Sequence, residues 1–168
     1  MERTIEMTHL IRTTALVAAM ATAAAAGSQV SEIDVTADLS AIENYEAAKA
    51  WTSLETDLET ALAKNLVGQI AGEDAGEAAE IHIEIDSVAL ASNFKQALGV
   101  GEWMLKGDVD IDMPDASKDM RYDLTVSADQ VNAYYPEGTD PAAVSVDSEV
   151  FYNAIIDAFA SNVASKLK

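Results

Sequence analysis

The chain has 168 residues, with 10 basic side chains against 29 acidic ones, a formal net charge of −19 and no cysteine. That length suits one domain with a sizeable core and is short for two. The charge argues against nucleic acid and anionic membrane leaflets as partners, since both repel a surface of this sign. The lack of cysteine excludes disulfides, thiolate metal sites, thiol nucleophiles and lipid-modified cysteine.

At the N-terminus, Arg3 and Arg12 flank a short polar start, and Ala15 to Ala26 is apolar, small and uncharged. Ala24 and Ala26 form an A-x-A exit before Gly27. Basic start, apolar middle and small-residue exit are the parts of a secretory signal peptide. The apolar run is about 12 to 14 residues, short of the roughly 20 needed to span a bilayer. Residues 1–26 are therefore expected to be a cleaved signal, with Met1 or Met7 as its start. Residues 27–168 would then be a single periplasmic or secreted domain with no stable membrane insertion after cleavage.

Ile33, Val35, Ala37 and Leu39 alternate with Asp34, Thr36, Asp38 and Ser40 and predict a half-buried strand. Ser40 and Glu43 have the spacing of a capping box. A helix over 44–71 should follow, since Trp51, Leu54, Leu58, Leu62, Leu66 and Ile70 recur every three or four residues, with Gly68 weakening its last turns and Gly72 ending it. Residues 72–79 read as an acidic loop. Ile81, Ile83 and Ile85 then alternate with His82, Glu84 and Asp86 as a second strand, whose period slips at Ser87-Val88, where a bulge is expected.

The most regular stretch is Glu102 to Val126. Trp103, Leu105, Val109, Ile111 and Met113 alternate with Met104, Lys106, Asp108, Asp110 and Asp112. After Pro114 and a polar turn, Met120, Tyr122, Leu124 and Val126 alternate with Arg121, Asp123 and Thr125. This is an antiparallel hairpin with one apolar and one wet face. A four-residue turn over 115–118 would set Asp112 opposite Arg121 and Asp110 opposite Asp123. Residues 132–144 read as a loop by Pro136, Gly138 and Pro141. Phe151, Ile155, Phe159, Val163 and Leu167, flanked by Val150, Ala154 and Ala158, predict a closing helix capped by Asp147 or Ser148. The expected fold is α+β, a two-layer domain in the order β-α-β-β-β-α. A mainly antiparallel sheet would carry two helices packed on one face.

Candidate chemistry is sparse. His82, Glu84 and Asp86 share a strand face and could hold a cation, although ordinary solvated strands show the same alternation. Asp108, Asp110 and Asp112 open like a calcium loop, but Met113 stands where that loop requires glycine. One histidine after residue 26 and no G-x-S-x-G elbow leave a hydrolase a distant third reading. No cofactor is expected. Tyr134 and Tyr135, in a loop, are candidates for partner binding.

The N-terminal signal, the helix Trp51-x-x-Leu54-x-x-x-Leu58-x-x-x-Leu62, the alternating strands and the closing helix FYNAIIDAFASNVASKL resemble small exported α/β proteins of the Gram-negative cell envelope. Auxiliary components of lipid-transport systems are among them. Members are commonly lipoproteins, and this chain has no cysteine to carry the lipid. The resemblance implies a non-catalytic accessory that binds other envelope proteins. The alternative is a cation- or small-ligand-binding protein using an acidic sheet face.

Overall fold

The computed structural model describes residues 28–37, 51–72, 77–89, 104–145 and 148–168. The expected signal peptide, the capping box at Ser40, Trp103 and Asp147 lie outside the described residues. The elements are β1 (Val30–Ala37), α1 (Leu54–Asn65), β2 (Ala79–Ala89), β3 (Met104–Asp112), β4 (Met120–Ser127), the one-turn helix α2 (Ala128–Val131) and α3 (Glu149–Ser165). The strands form one sheet in the order β1-β2-β3-β4.

The sheet is mixed rather than wholly antiparallel, with antiparallel pairs in the majority as expected. β2, β3 and β4 are antiparallel neighbours, but β1 runs parallel to β2. The reason lies in the connection. A tight turn reverses the chain, whereas α1 carries it back to the end where β1 began, and strands joined that way run parallel.

Strand alternation buries one face. Val35, Ile81, Ile83, Leu105, Val109, Ile111, Leu124 and Val126 join one core with Leu54, Leu58 and Leu62 of α1 and Phe151, Ile155, Phe159 and Val163 of α3. On the opposite face Asp34, Glu84, Asp108, Asp112, Arg121 and Asp123 are exposed.

Three departures have local causes. First, α1 ends at Asn65 rather than near residue 71. Gly68 adopts φ +85°, which stops the helix two turns early. The next residues become a staple: Val30 N–H donates to Gln69 O at 2.8 Å, and Ala71 N–H donates to Val30 O at 2.7 Å. Ile70, expected on the buried stripe, bridges Val30 and is 47% exposed. The Gln69 amide donates to Ser28 O and Leu167 O at 3.0 and 3.1 Å, tying β1's approach to the chain's last turn. Two hydrogen bonds at about 0.5 to 1.5 kcal/mol each make Gln69→Ala worth about 1 to 3 kcal/mol, read as a lower denaturant midpoint with an unchanged slope.

Second, Val150 is exposed on α3, and Tyr152 is buried in its stead. The Tyr152 ring meets Trp51 edge-on at 5.0 Å, and its hydroxyl donates to Asp57 Oδ2 at 2.6 Å. Burial and that carboxylate push the Tyr152 pKa far up, so the phenol stays protonated and pins α3 to α1. The helix starts at Ser148, whose hydroxyl accepts from Phe151 N–H at 3.1 Å.

Third, the β3–β4 connection is longer than four residues. β3 ends at Asp112 and β4 begins at Met120. Asp115 caps the 3-10 turn Ala116–Lys118 by accepting from Ser117 N–H, and Asp119 accepts from Met113 N–H at 2.8 Å. The pairing therefore shifts by two residues from the expected one: Asp110 lies opposite Arg121, and Asp108 opposite Asp123.

Candidate functional site

With one face of the sheet filled by core, chemistry on the strands is confined to the other. The register arranges its side chains in cross-strand rows. Glu32, Glu80 and Asp112 form one row; Asp34, His82, Asp110 and Arg121 form the next; Thr36, Glu84, Asp108 and Asp123 form the third. The middle row sets His82 between two aspartates and ends on Arg121, which is ion-paired with Asp110. The outer two contain only carboxylates and a threonine. Directly opposed like charges destabilise a sheet unless something neutralises them.

The middle and third rows line a groove of about 440 Å³ on the open face, walled by Asp34, Thr36, His82, Glu84, Asp108, Asp110, Arg121 and Asp123. The structure thus brings together four sequence candidates, His82, Glu84, Asp108 and Asp110. Asp86 is set apart, in an ion pair with Lys106 at 3.0 Å. Its separation follows from a bulge: Glu84 faces Asp108 and Ser87 faces Lys106, so Ile85 and Asp86 both oppose Gly107. The bulge lies before Ser87-Val88, where the periodicity placed it. Asp112 joins a different group, with Glu80 and His82, whose potential ligand atoms lie within 4.8 Å of one another. His82 Nε2 is 3.8 Å from Glu80 Oε2.

Crowding of carboxylates shows in protonation. Asp108 holds its proton above the usual carboxylate range, chiefly through a hydrogen bond with Asp123, with desolvation and the Asp86 charge acting in the same direction and Lys106 opposing. The sign for stability follows: the folded state binds this proton more tightly than the unfolded chain. The contribution is present at low pH and is lost as pH rises from the ordinary aspartate value through the raised one. Asp115, held low by its hydrogen bonds from Ser117, acts oppositely, stabilising above the ordinary value and losing that contribution as acid protonates it. Asp108→Asn should therefore raise the melting temperature at neutral pH and leave it nearly unchanged in acid, as followed by circular dichroism across the carboxylate range.

The two tyrosine candidates part company. Tyr135 packs against the core, and burial pushes its hydroxyl pKa up. Tyr134, in the 3-10 turn Asn132–Tyr134, is 37% exposed and lines a smaller cleft of about 280 Å³ with Lys64, Asn65, Asp157 and Ser161. The residues that sequence reasoning passed over are Glu80, which enters the cation-type group, and Gly107, which shapes the bulge. Gly107 carried a signal, because glycine inside a strand often marks a bulge or a close backbone approach. The helix α2 also had one: Ser127 and Gln130 have capping-box spacing, and Gln130 Oε1 accepts from Ser127 N–H at 2.8 Å.

No protein-family model matches the chain, and no curated protein matches it. Among solved structures, it is similar to a PelC dodecamer from Paraburkholderia phytofirmans at 10% identity and a TM-score of 0.47, over 84% of this chain and 90% of that one.

Proposed function

We propose that this protein is an exported, non-catalytic accessory of the bacterial cell envelope, which acts by docking basic surfaces of other proteins on the open acidic face of its sheet. The observation that carries this reading is the row of Glu84, Asp108 and Asp123, three carboxylates in register with no cation among them. A two-layer arrangement supports it, with helices on one face of the sheet and no described helix on the other. Positive potential from a partner would relieve the repulsion and speed the encounter. His82 lies half-exposed in a groove open to water, which suits recognition better than acid–base chemistry, whose electrostatics work best where water is excluded.

Export is tested by intact mass: protein recovered from its native host should begin at or near Gly27, and recovery with residues 13–26 attached would remove the compartment from the proposal. Docking is tested by a photo-crosslinking side chain placed at Thr125 or, for comparison, at exposed Asn153. Adducts should form from Thr125, fall with salt, and disappear in the Asp108→Lys/Asp123→Lys variant. Adducts that survive this reversal would contradict a charge-driven face.

A second reading, binding of a divalent cation, is favoured by the convergence of Glu80, His82 and Asp112. Calcium or zinc should then raise the melting temperature saturably, and His82→Ala with Asp112→Asn should abolish the plateau. A rise that needs far more ion and never levels is screening alone.

A further inference from the structure

We infer that a partner engages by adding an extended segment to the outer edge of β4, with a lysine or arginine seated opposite Asp123. This rests on the proposed docking role and specifies its geometry. The two edges of the sheet differ. Along β1, Val30 is hydrogen-bonded on its outer side to Gln69 and Ala71, and Ala37 N–H donates to Glu55 Oε1 at 2.8 Å, so that edge is closed at both ends. Along β4, Gln130 Oε1 takes the Ser127 N–H at 2.8 Å at the strand's last residue, and from Met120 to Val126 no described residue pairs with the outer backbone groups. Alternate residues of an edge strand present N–H and C=O outward, which is the template used when a peptide extends a sheet. β4 pairs with β3 without a register shift and contains no proline or bulge to spoil that template.

Charge then selects the occupant. The row Glu84–Asp108–Asp123 ends at the edge on Asp123, and the row His82–Asp110–Arg121 ends there on Arg121, already ion-paired. A strand laid beside β4 continues both rows. The favourable neighbours are a cation beside Asp123 and an uncharged residue beside Arg121, two positions apart, with apolar residues at the alternating positions, beside half-buried Tyr122 and Met120. A second copy of this acidic chain fits less well, since each brings a net charge of −19.

The probe is an acetylated, amidated, fluorophore-labelled peptide, Val-Thr-Val-Lys-Val-Thr-Val, titrated into the full chain, with controls that carry glutamate for lysine or N-methyl groups on alternate amides. Binding should slow hydrogen exchange at alternate β4 amides, and the glutamate control should bind roughly tenfold or more weakly. Asp123→Lys, which faces Asp108 and should fold normally, should reverse the preference between the two peptides. The N-methylated control should not bind. Binding of the lysine peptide with unchanged β4 exchange, or equal binding of the N-methylated control, would overturn edge pairing while leaving the acidic-face reading in place. Failure of both this peptide and polylysine to bind would overturn the two together. Concentration-dependent self-association through β4 would assign the edge to a second copy and likewise overturn the proposal.

Discussion

Truncating Phe159 to alanine should remove about 3 to 5 kcal/mol of stability, a large share of the roughly 5 to 15 that holds a domain together. Phe159 is fully buried on α3, in the core that α3 shares with α1 and the inner face of the sheet. Its removal deletes a ring's worth of transfer free energy and leaves a cavity that rigid strands cannot close. Chemical denaturation should show the midpoint falling with little change in slope. Lys168→Ala, at the exposed end of the chain, should leave it within experimental scatter. An unaltered midpoint for Phe159→Ala would mean that α3 does not cover the sheet.

Gly107→Val should be comparably damaging, though nothing is deleted. Gly107 occupies an inward position between Leu105 and Val109, beside the β2 bulge. A Cβ there would lie 2.7 Å from Glu84 O and 2.9 Å from Ile85 Cδ1. The side chain could rotate away, but the carbonyl belongs to the ladder, so the bulge itself must shift. Overpacking costs about 1 to 3 kcal/mol and sometimes more. For Gly107→Ala, the reduced freedom of the unfolded chain returns only about 0.4 to 1 kcal/mol. The ordering expected from thermal melts is wild type, then Gly107→Ala, then Gly107→Val. Alanine equal to wild type would show that the strands are not so tightly apposed.

These effects also mark what could be read in advance. Alternation assigned faces: Ile81, Ile83, Val109, Ile111 and Leu124 are buried, and Glu84, Asp108 and Asp123 are exposed. It could not assign neighbours, because a two-residue slip leaves every side chain on the same face. Asp115 and Asp119 looked like generic turn residues, yet their hydrogen bonds lengthen the loop and move Arg121 from Asp112 to Asp110. Strand direction was equally hidden, since period-two patterning is identical in parallel and antiparallel strands. The helical connection before β2 was the available signal. The acidic residues of the face were therefore legible, whereas their rows and the group of Glu80, His82 and Asp112 required the register.

The open face is best tested by backbone amide NMR of the full chain during titration with polylysine at low salt. Shifts should concentrate at Asp34, Glu84, Asp108 and Asp123, saturate, and fade as salt is added. Shifts confined to α3 and the Tyr134 cleft, or spread evenly over the surface, would contradict a docking face built on those carboxylate rows.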